Sequence, residues 1–82
     1  MQLNDVESRL LDVFEAILEH PVSREVNRQS DGAWDSLRHM QLVFAVEAAF
    51  PVQFGEEEIP RLNSFRDFLE RIGDPNAPST HQ

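Results

Sequence analysis

The stretch DGAWDSLRHMQLVFAVEAAF, residues 31–50, joins a turn to a strongly apolar helical pattern. The turn pair Asp31-Gly32 is typical of a loop, and Pro51 directly after the stretch stops a helix. The residues between these signals predict a helix over about residues 36–50. At about 100° per residue, one face of this helix is an ordinary core stripe. That stripe consists of Leu42, Val43, Val46 and Phe50.

The opposite face of this predicted helix is also apolar, although a surface helix is normally polar there. We name this side the docking face, because an apolar surface outside the core is typical of a partner site. It comprises Leu37, Arg38, Met40, Gln41, Phe44, Glu47 and Ala48. For Leu37 and Met40, cover by the later helices is the favoured interpretation. Phe44 and Ala48 are the better candidates for an exposed patch.

The rest of the chain predicts further helices. Apolar residues at steps of three and four predict a first helix over about residues 4–19, which Pro21 ends. The same spacing predicts a short last helix over about residues 65–72. Between them, Pro60 limits a third helix to a turn or two. The sequence therefore predicts an all-α fold, a small four-helix bundle of three main helices and one short third helix, with a long loop between the first two helices.

Length and composition exclude several classes of protein. The 82 residues support one small core, so we expect one domain over residues 1–72 and a disordered tail over 73–82. A formal net charge of −8, from 15 acidic and seven basic residues, argues against nucleic-acid binding. The absence of cysteine excludes disulfides and thiolate metal sites. Because the chain shows neither a signal peptide nor a membrane-spanning run, we expect a cytoplasmic protein that does not bind membranes.

Side chains that could carry catalysis are scarce. The three histidines, His20, His39 and His81, lie far apart in the sequence, and a partly buried structural role is favoured for His39. The glutamate run at 56–58 is more typical of a solvated helix start than of a metal site. We therefore expect no catalytic residue, no metal site and no enzymatic activity.

Ser36 has a position of chemical interest. A serine at the first position of a helix presents its hydroxyl at the end of the helix, clear of neighbouring side chains. A phosphate attached there would face unpaired backbone N–H groups and the positive end of the helix dipole. The alternative is that Ser36 or Asp35 simply caps the helix, and the local pattern alone favours this alternative.

The wider pattern changes that interpretation. Asp35, Ser36 and Leu37 follow an amphipathic helix and a long loop, and Leu62-Asn63-Ser64-Phe65 leads into the last helix. Over about residues 4–72 this arrangement resembles the acyl carrier and peptidyl carrier protein family. The resemblance implies that Ser36 receives 4′-phosphopantetheine from coenzyme A. It also implies that Asp35 helps the modifying transferase to orient the serine or its metal.

The resemblance implies a carrier that holds an acyl or aminoacyl intermediate as a thioester and presents it to partner enzymes. We expect this carrier to be free-standing, because the chain ends at both sides without linkers. The thiol at the end of the prosthetic arm would account for the missing cysteine. The expected partners are a phosphopantetheinyl transferase, a loading ligase and downstream synthase or tailoring enzymes, and we expect a monomer. The alternative from a different class is an unmodified, carrier-like helical adaptor that acts by protein–protein interaction alone.

The second helix departs from the family pattern. Carriers of housekeeping fatty-acid synthesis usually present several carboxylates along this helix, whereas here only Glu47 is acidic. Arg38, His39, Gln41 and Ala48 stand among the other positions. This less acidic face favours a dedicated carrier of a specialised pathway of fatty acid, polyketide or nonribosomal peptide synthesis.

Overall fold

The computed structural model describes residues 3–73 and contains three α-helices. Helix α1 is Leu3–Leu18, α2 is Ser36–Ala49 and α3 is Phe65–Gly73. An all-α fold is therefore confirmed for the described residues, but the four-helix bundle is not. The segment predicted as a short third helix is a three-residue 3-10 turn, Ile59–Arg61, and Pro60 at its start disfavours its extension toward the preceding glutamates. Of the tail predicted over residues 73–82, Gly73 is the last residue of α3, and residues 74–82 lie outside the described residues.

Helix α1 is followed by one residue with a left-handed backbone, which precedes the proline that is predicted to end the helix. The N–H of Glu19 donates to the Glu15 carbonyl at 2.8 Å, and Glu19 itself has a φ of 65°. This conformation turns the chain sharply away from the helix axis. Pro21 then prevents the helix from continuing.

The core is centred on Phe14, which is fully buried. Its ring makes edge-to-face contacts with Trp34, Phe65 and Phe68, with ring centroids 5.3, 5.3 and 5.4 Å away. Such aromatic pairs add specific geometry to the burial of a large apolar surface. The four residues of the predicted core stripe are buried as the pattern predicted, three of them within α2 and the last directly after it: Leu42, Val43, Val46 and Phe50.

The long connection between α1 and α2 is held against the rest of the protein by two buried side chains and two backbone hydrogen bonds. Val26 and Trp34 are buried in the core. The N–H of Phe65, at the start of α3, donates to the Val26 carbonyl at 3.0 Å, and the N–H of Arg28 donates to the Asn63 carbonyl at 2.8 Å. The connection is therefore an ordered segment that fixes the approach of the chain to α2.

Candidate functional site

The N-terminus of α2 is capped by Asp35. This residue has an extended backbone, and its Oδ1 accepts a hydrogen bond from the N–H of Arg38 at 2.9 Å. Its carbonyl accepts the first helical hydrogen bond, from the N–H of His39, at 2.8 Å. Asp35 thus fills the capping role that the sequence left open between itself and Ser36.

Ser36 is the first residue of α2, and it is exposed. Because Asp35 provides the cap, the Ser36 hydroxyl is not needed to satisfy the helix terminus. Its Oγ instead accepts a hydrogen bond from Nη2 of Arg28 at 3.3 Å. The hydroxyl is therefore accessible for chemistry, and a guanidinium lies beside it.

The turn before α2 is shaped by Asp31. Its Oδ1 accepts from the N–H of Ala33 at 2.9 Å, and its carbonyl accepts from the N–H of Trp34 at 3.0 Å. A side-chain carboxylate that binds the backbone two residues ahead is a common way to form a tight turn. This turn delivers Trp34 to the core and the next two residues to the surface.

Beneath the start of α2, Trp34 and His39 form a buried polar pair. Nε1 of Trp34 donates to Nδ1 of His39 at 3.0 Å, so the other ring nitrogen carries the proton and donates to the Ile59 carbonyl at 2.7 Å. His39 is only 4% exposed. These contacts agree with the structural role that the sequence favours for His39. The sequence predicts partial burial, whereas the observed burial is nearly complete.

The turn is also linked to the end of α1 through His20. One ring nitrogen lies 2.8 Å from the Pro21 carbonyl, and the other lies 2.9 Å from a carboxylate oxygen of Asp31. Both neighbours accept hydrogen bonds, which favours the doubly protonated ring. The Pro21 carbonyl, followed by the Asp31 carboxylate, therefore raises the pKa of His20 above its ordinary value.

The docking face contains two large apolar side chains in solvent. Leu37 is 66% exposed and Phe44 is 62% exposed. The expectation that later helices cover Leu37 is wrong, because the segment expected to form a third helix is only the turn Ile59–Arg61. Met40 is half-buried, and Gln41 and Ala48 are exposed.

Two charged members of the docking face are engaged within the protein. Nη1 of Arg38 donates to the carbonyl of Ile17 near the end of α1, and the guanidinium lies 3.8 Å from the Glu19 carboxylate. Oε2 of Glu47 accepts from the N–H of Phe54 at 2.8 Å. These contacts tie α2 to its neighbours, so the accessible part of the docking face is mainly apolar.

Arg28 is the site residue that the sequence interpretation missed. It borders an open groove of about 540 Å³, whose lining is Asn27, Arg28, Gln29, Asn63 and Ser64. No local signal marks Arg28, because its contact with Ser36 depends on the turn between them and on the pairing of the loop with the start of α3. Only the folded structure brings these residues together.

Neither a cluster of potential metal ligands nor a bilayer-length apolar helix occurs in the part of the chain that the structure describes. No group of three or more potential metal-ligating side chains occurs among these residues. Within the same range, no helix has both the length and the apolar character needed to cross a bilayer.

The chain is similar to a distant relative among known proteins. No model of a known protein family matches the chain. Over 77 residues the chain is 27% identical to a protein named acyl carrier protein from Buchnera aphidicola subsp. Schizaphis graminum (strain Sg). The match covers 90% of this chain and 98% of that protein. The chain is thus similar to an acyl carrier protein over almost the whole length of that relative.

Proposed function

We propose that this protein is a non-catalytic carrier of acyl or aminoacyl groups, with 4′-phosphopantetheine attached to the hydroxyl of Ser36. The observation that carries the proposal is the exposed Ser36 hydroxyl at the start of α2, released from capping by Asp35. Similarity to an acyl carrier protein over 90% of the chain supports it.

The residues at the start of α2 suit such an attachment. The Ser36 side chain has no packing role, and the guanidinium of Arg28 offers hydrogen-bond donors to a phosphate at that oxygen. When bound, the prosthetic group supplies a terminal thiol that carries the cargo as a thioester. The polypeptide contains no cysteine, so the thiol that a carrier needs has to come from such a group.

The exposed part of the docking face is the surface we assign to partner enzymes. Leu37 lies next to the attachment site, and Phe44 lies about two turns farther along α2. Met40, Gln41 and Ala48 complete the surface between and beyond them. A transferase, a loading ligase and downstream synthase or tailoring enzymes each have to approach Ser36 across this region.

The same surface favours a specialised pathway. Glu47 is the one acidic residue of α2, and one of its carboxylate oxygens is held by the backbone N–H of Phe54, so the face offers a partner a single negative charge at a fixed position. A partner with a matching apolar surface therefore suits this face better than a strongly basic one. We assign the protein to the cytoplasm as a monomer that serves a small set of such enzymes.

Attachment is tested by intact-mass measurement after incubation with coenzyme A and a broad-specificity phosphopantetheinyl transferase. The wild-type protein should gain the mass of one phosphopantetheinyl group, and Ser36→Ala should gain none. Ser8→Ala is the matched control, because Ser8 is also an exposed helical serine. Modification of Ser36→Ala, or an unmodified wild type beside a carrier that the same transferase does modify, would refute the proposal.

An unmodified adaptor is the second candidate function. The exposure of Leu37 and Phe44 favours it, because an apolar patch binds partners whether or not Ser36 is modified. The mass measurement separates the two candidates, since an adaptor takes up no group. Circular dichroism of Ser36→Ala should show a normal fold in either case, so the absence of modification cannot be attributed to unfolding.

A further inference from the structure

The fold brings the guanidinium of Arg28 to the hydroxyl of Ser36. Nη2 of Arg28 donates to Oγ of Ser36 at 3.3 Å, although seven residues separate the two in the sequence. This Oγ is the atom that the proposed modification esterifies. We propose that Arg28 binds the phosphate of the attached group and thereby fixes the base of the prosthetic arm. The inference rests on the attachment at Ser36 proposed above.

The backbone of Arg28 is held in place by the start of α3. Its N–H donates to the Asn63 carbonyl at 2.8 Å, and the neighbouring residue Asn27 forms an antiparallel bridge with Ser64. A side chain on a fixed backbone loses less conformational entropy on binding than one on a free loop. Arg28 is therefore positioned for an anion at Ser36 before that anion arrives.

Among the described residues, Arg28 forms no ion pair with a carboxylate. Four other arginines lie within 4.0 Å of carboxylates, in the pairs Arg24–Glu7, Arg38–Glu19, Arg66–Glu25 and Arg71–Glu58. Within residues 5–73 no such pair includes Arg28, and the nearby Asp35 accepts from the Arg38 backbone. Arg28 donates to a neutral hydroxyl, so its positive charge remains available to an anion.

The chemistry of the guanidinium suits a phosphate better than a hydroxyl. It is planar and presents several N–H donors, two of which can bind a pair of phosphate oxygens at once. A phosphodiester would also add negative charge to a protein that already has a net charge of −8. Arg28 is half-buried, so its attraction to such a group is screened less than that of a fully exposed side chain.

The inference is tested on loaded protein by ³¹P NMR and thermal unfolding. Wild type, Arg28→Gln, Arg28→Lys and Arg24→Gln are each loaded and checked by mass. Arg24→Gln is the matched control, because it removes the same charge from the same loop at a residue that is paired with Glu7. We expect Arg28→Gln to displace the ³¹P resonance, Arg28→Lys to restore it in part, and Arg24→Gln to leave it unchanged.

The change in Tm on loading gives a second readout. This change should be more favourable for wild type and Arg24→Gln than for Arg28→Gln, by roughly 2–5 °C. Identical ³¹P resonances and identical changes in Tm for wild type and Arg28→Gln, with all variants loaded, would overturn the inference while leaving the carrier function intact.

Failure of wild type to be loaded would instead refute the proposed function and, with it, a role of Arg28 toward the prosthetic group. The electrostatic part can still be measured with phosphoserine incorporated at position 36. Its second ionisation, near a pKa of about 6, should occur at lower pH in wild-type background than with Arg28→Gln. Equal titration curves would show that Arg28 does not bind a phosphate at this position.

Discussion

Replacement of Phe44 by alanine tests whether the apolar docking face acts in recognition or in folding. The Phe44 side chain is 62% exposed, whereas Val46, two residues later on the same helix, is fully buried. Removal of an exposed side chain that has no specific structural role usually changes stability by less than about 0.5 kcal/mol. Phe44→Ala should therefore unfold at nearly the wild-type temperature.

Val46→Ala is the control for loss of core packing. It removes two buried carbon atoms, each worth about 0.8 kcal/mol, and leaves a small cavity, so we expect a loss of about 2 kcal/mol. For a domain of this size that corresponds to a fall in Tm of roughly 8–16 °C. Thermal unfolding followed by circular dichroism separates this effect from the small one expected for Phe44→Ala.

Partner binding should be impaired more by Phe44→Ala than by Val46→Ala, which is the reverse of the order expected for stability. If Phe44 anchors a partner, its truncation costs about 2 kcal/mol of binding, which weakens the apparent affinity roughly 30-fold. The assay is the rate of modification or acyl transfer by a partner enzyme as the concentration of the carrier is varied, with an expected rise in KM. A fall in Tm for Phe44→Ala as large as that for Val46→Ala, or an unchanged KM with every partner tested, would refute the docking role.

Two predictions concern pH. The pKa of His20 is raised above 6.5, so the stability from its contacts with Pro21 and Asp31 is complete below that value and is lost as pH rises through the folded-state pKa. His20→Gln should flatten the fall of Tm as pH rises above 6.5, and parallel slopes of wild type and variant would contradict this. The pKa of Glu58 is lowered below 4.5, chiefly by its hydrogen bond to Arg71. Its contribution is therefore present above 4.5 and is lost as pH falls through the lowered pKa, so Glu58→Gln should reduce the loss of Tm in acid, and an unchanged acid transition would disprove the assignment.

The parts of the fold that follow from local pattern were predictable. The core stripe of α2 repeats with the helical period, and Pro21 and Pro51 act on the residues next to them. The choice of cap was not predictable, because aspartate and serine are equally suitable at a helix N-terminus and only the backbone geometry separates them. That choice matters here, since the cap provided by Asp35 leaves the Ser36 hydroxyl free.

Features that depend on distant segments were predicted wrongly or missed. The exposure of Leu37 depends on how much helix forms around Pro60, which the sequence limits but does not place. The contacts of Arg38 with α1 and of Glu47 with the segment after α2 join groups that no periodic pattern relates. Arg28 was missed for the same reason, since pairing across the loop brings it to Ser36.

The pairing between the loop and the start of α3 gives the two regions a shared opening reaction. Two backbone hydrogen bonds join these regions in opposite directions. The N–H of Arg28 donates to the Asn63 carbonyl, and the N–H of Phe65 donates to the Val26 carbonyl. If the loop separates from the start of α3, both N–H groups are exposed to solvent together. Their hydrogen exchange through this opening is therefore coupled. Fraying of α3 from its first residue would therefore also free the backbone of Arg28, which holds the guanidinium beside Ser36. This would happen although α3 itself contributes no side chain to the contact between Arg28 and Ser36.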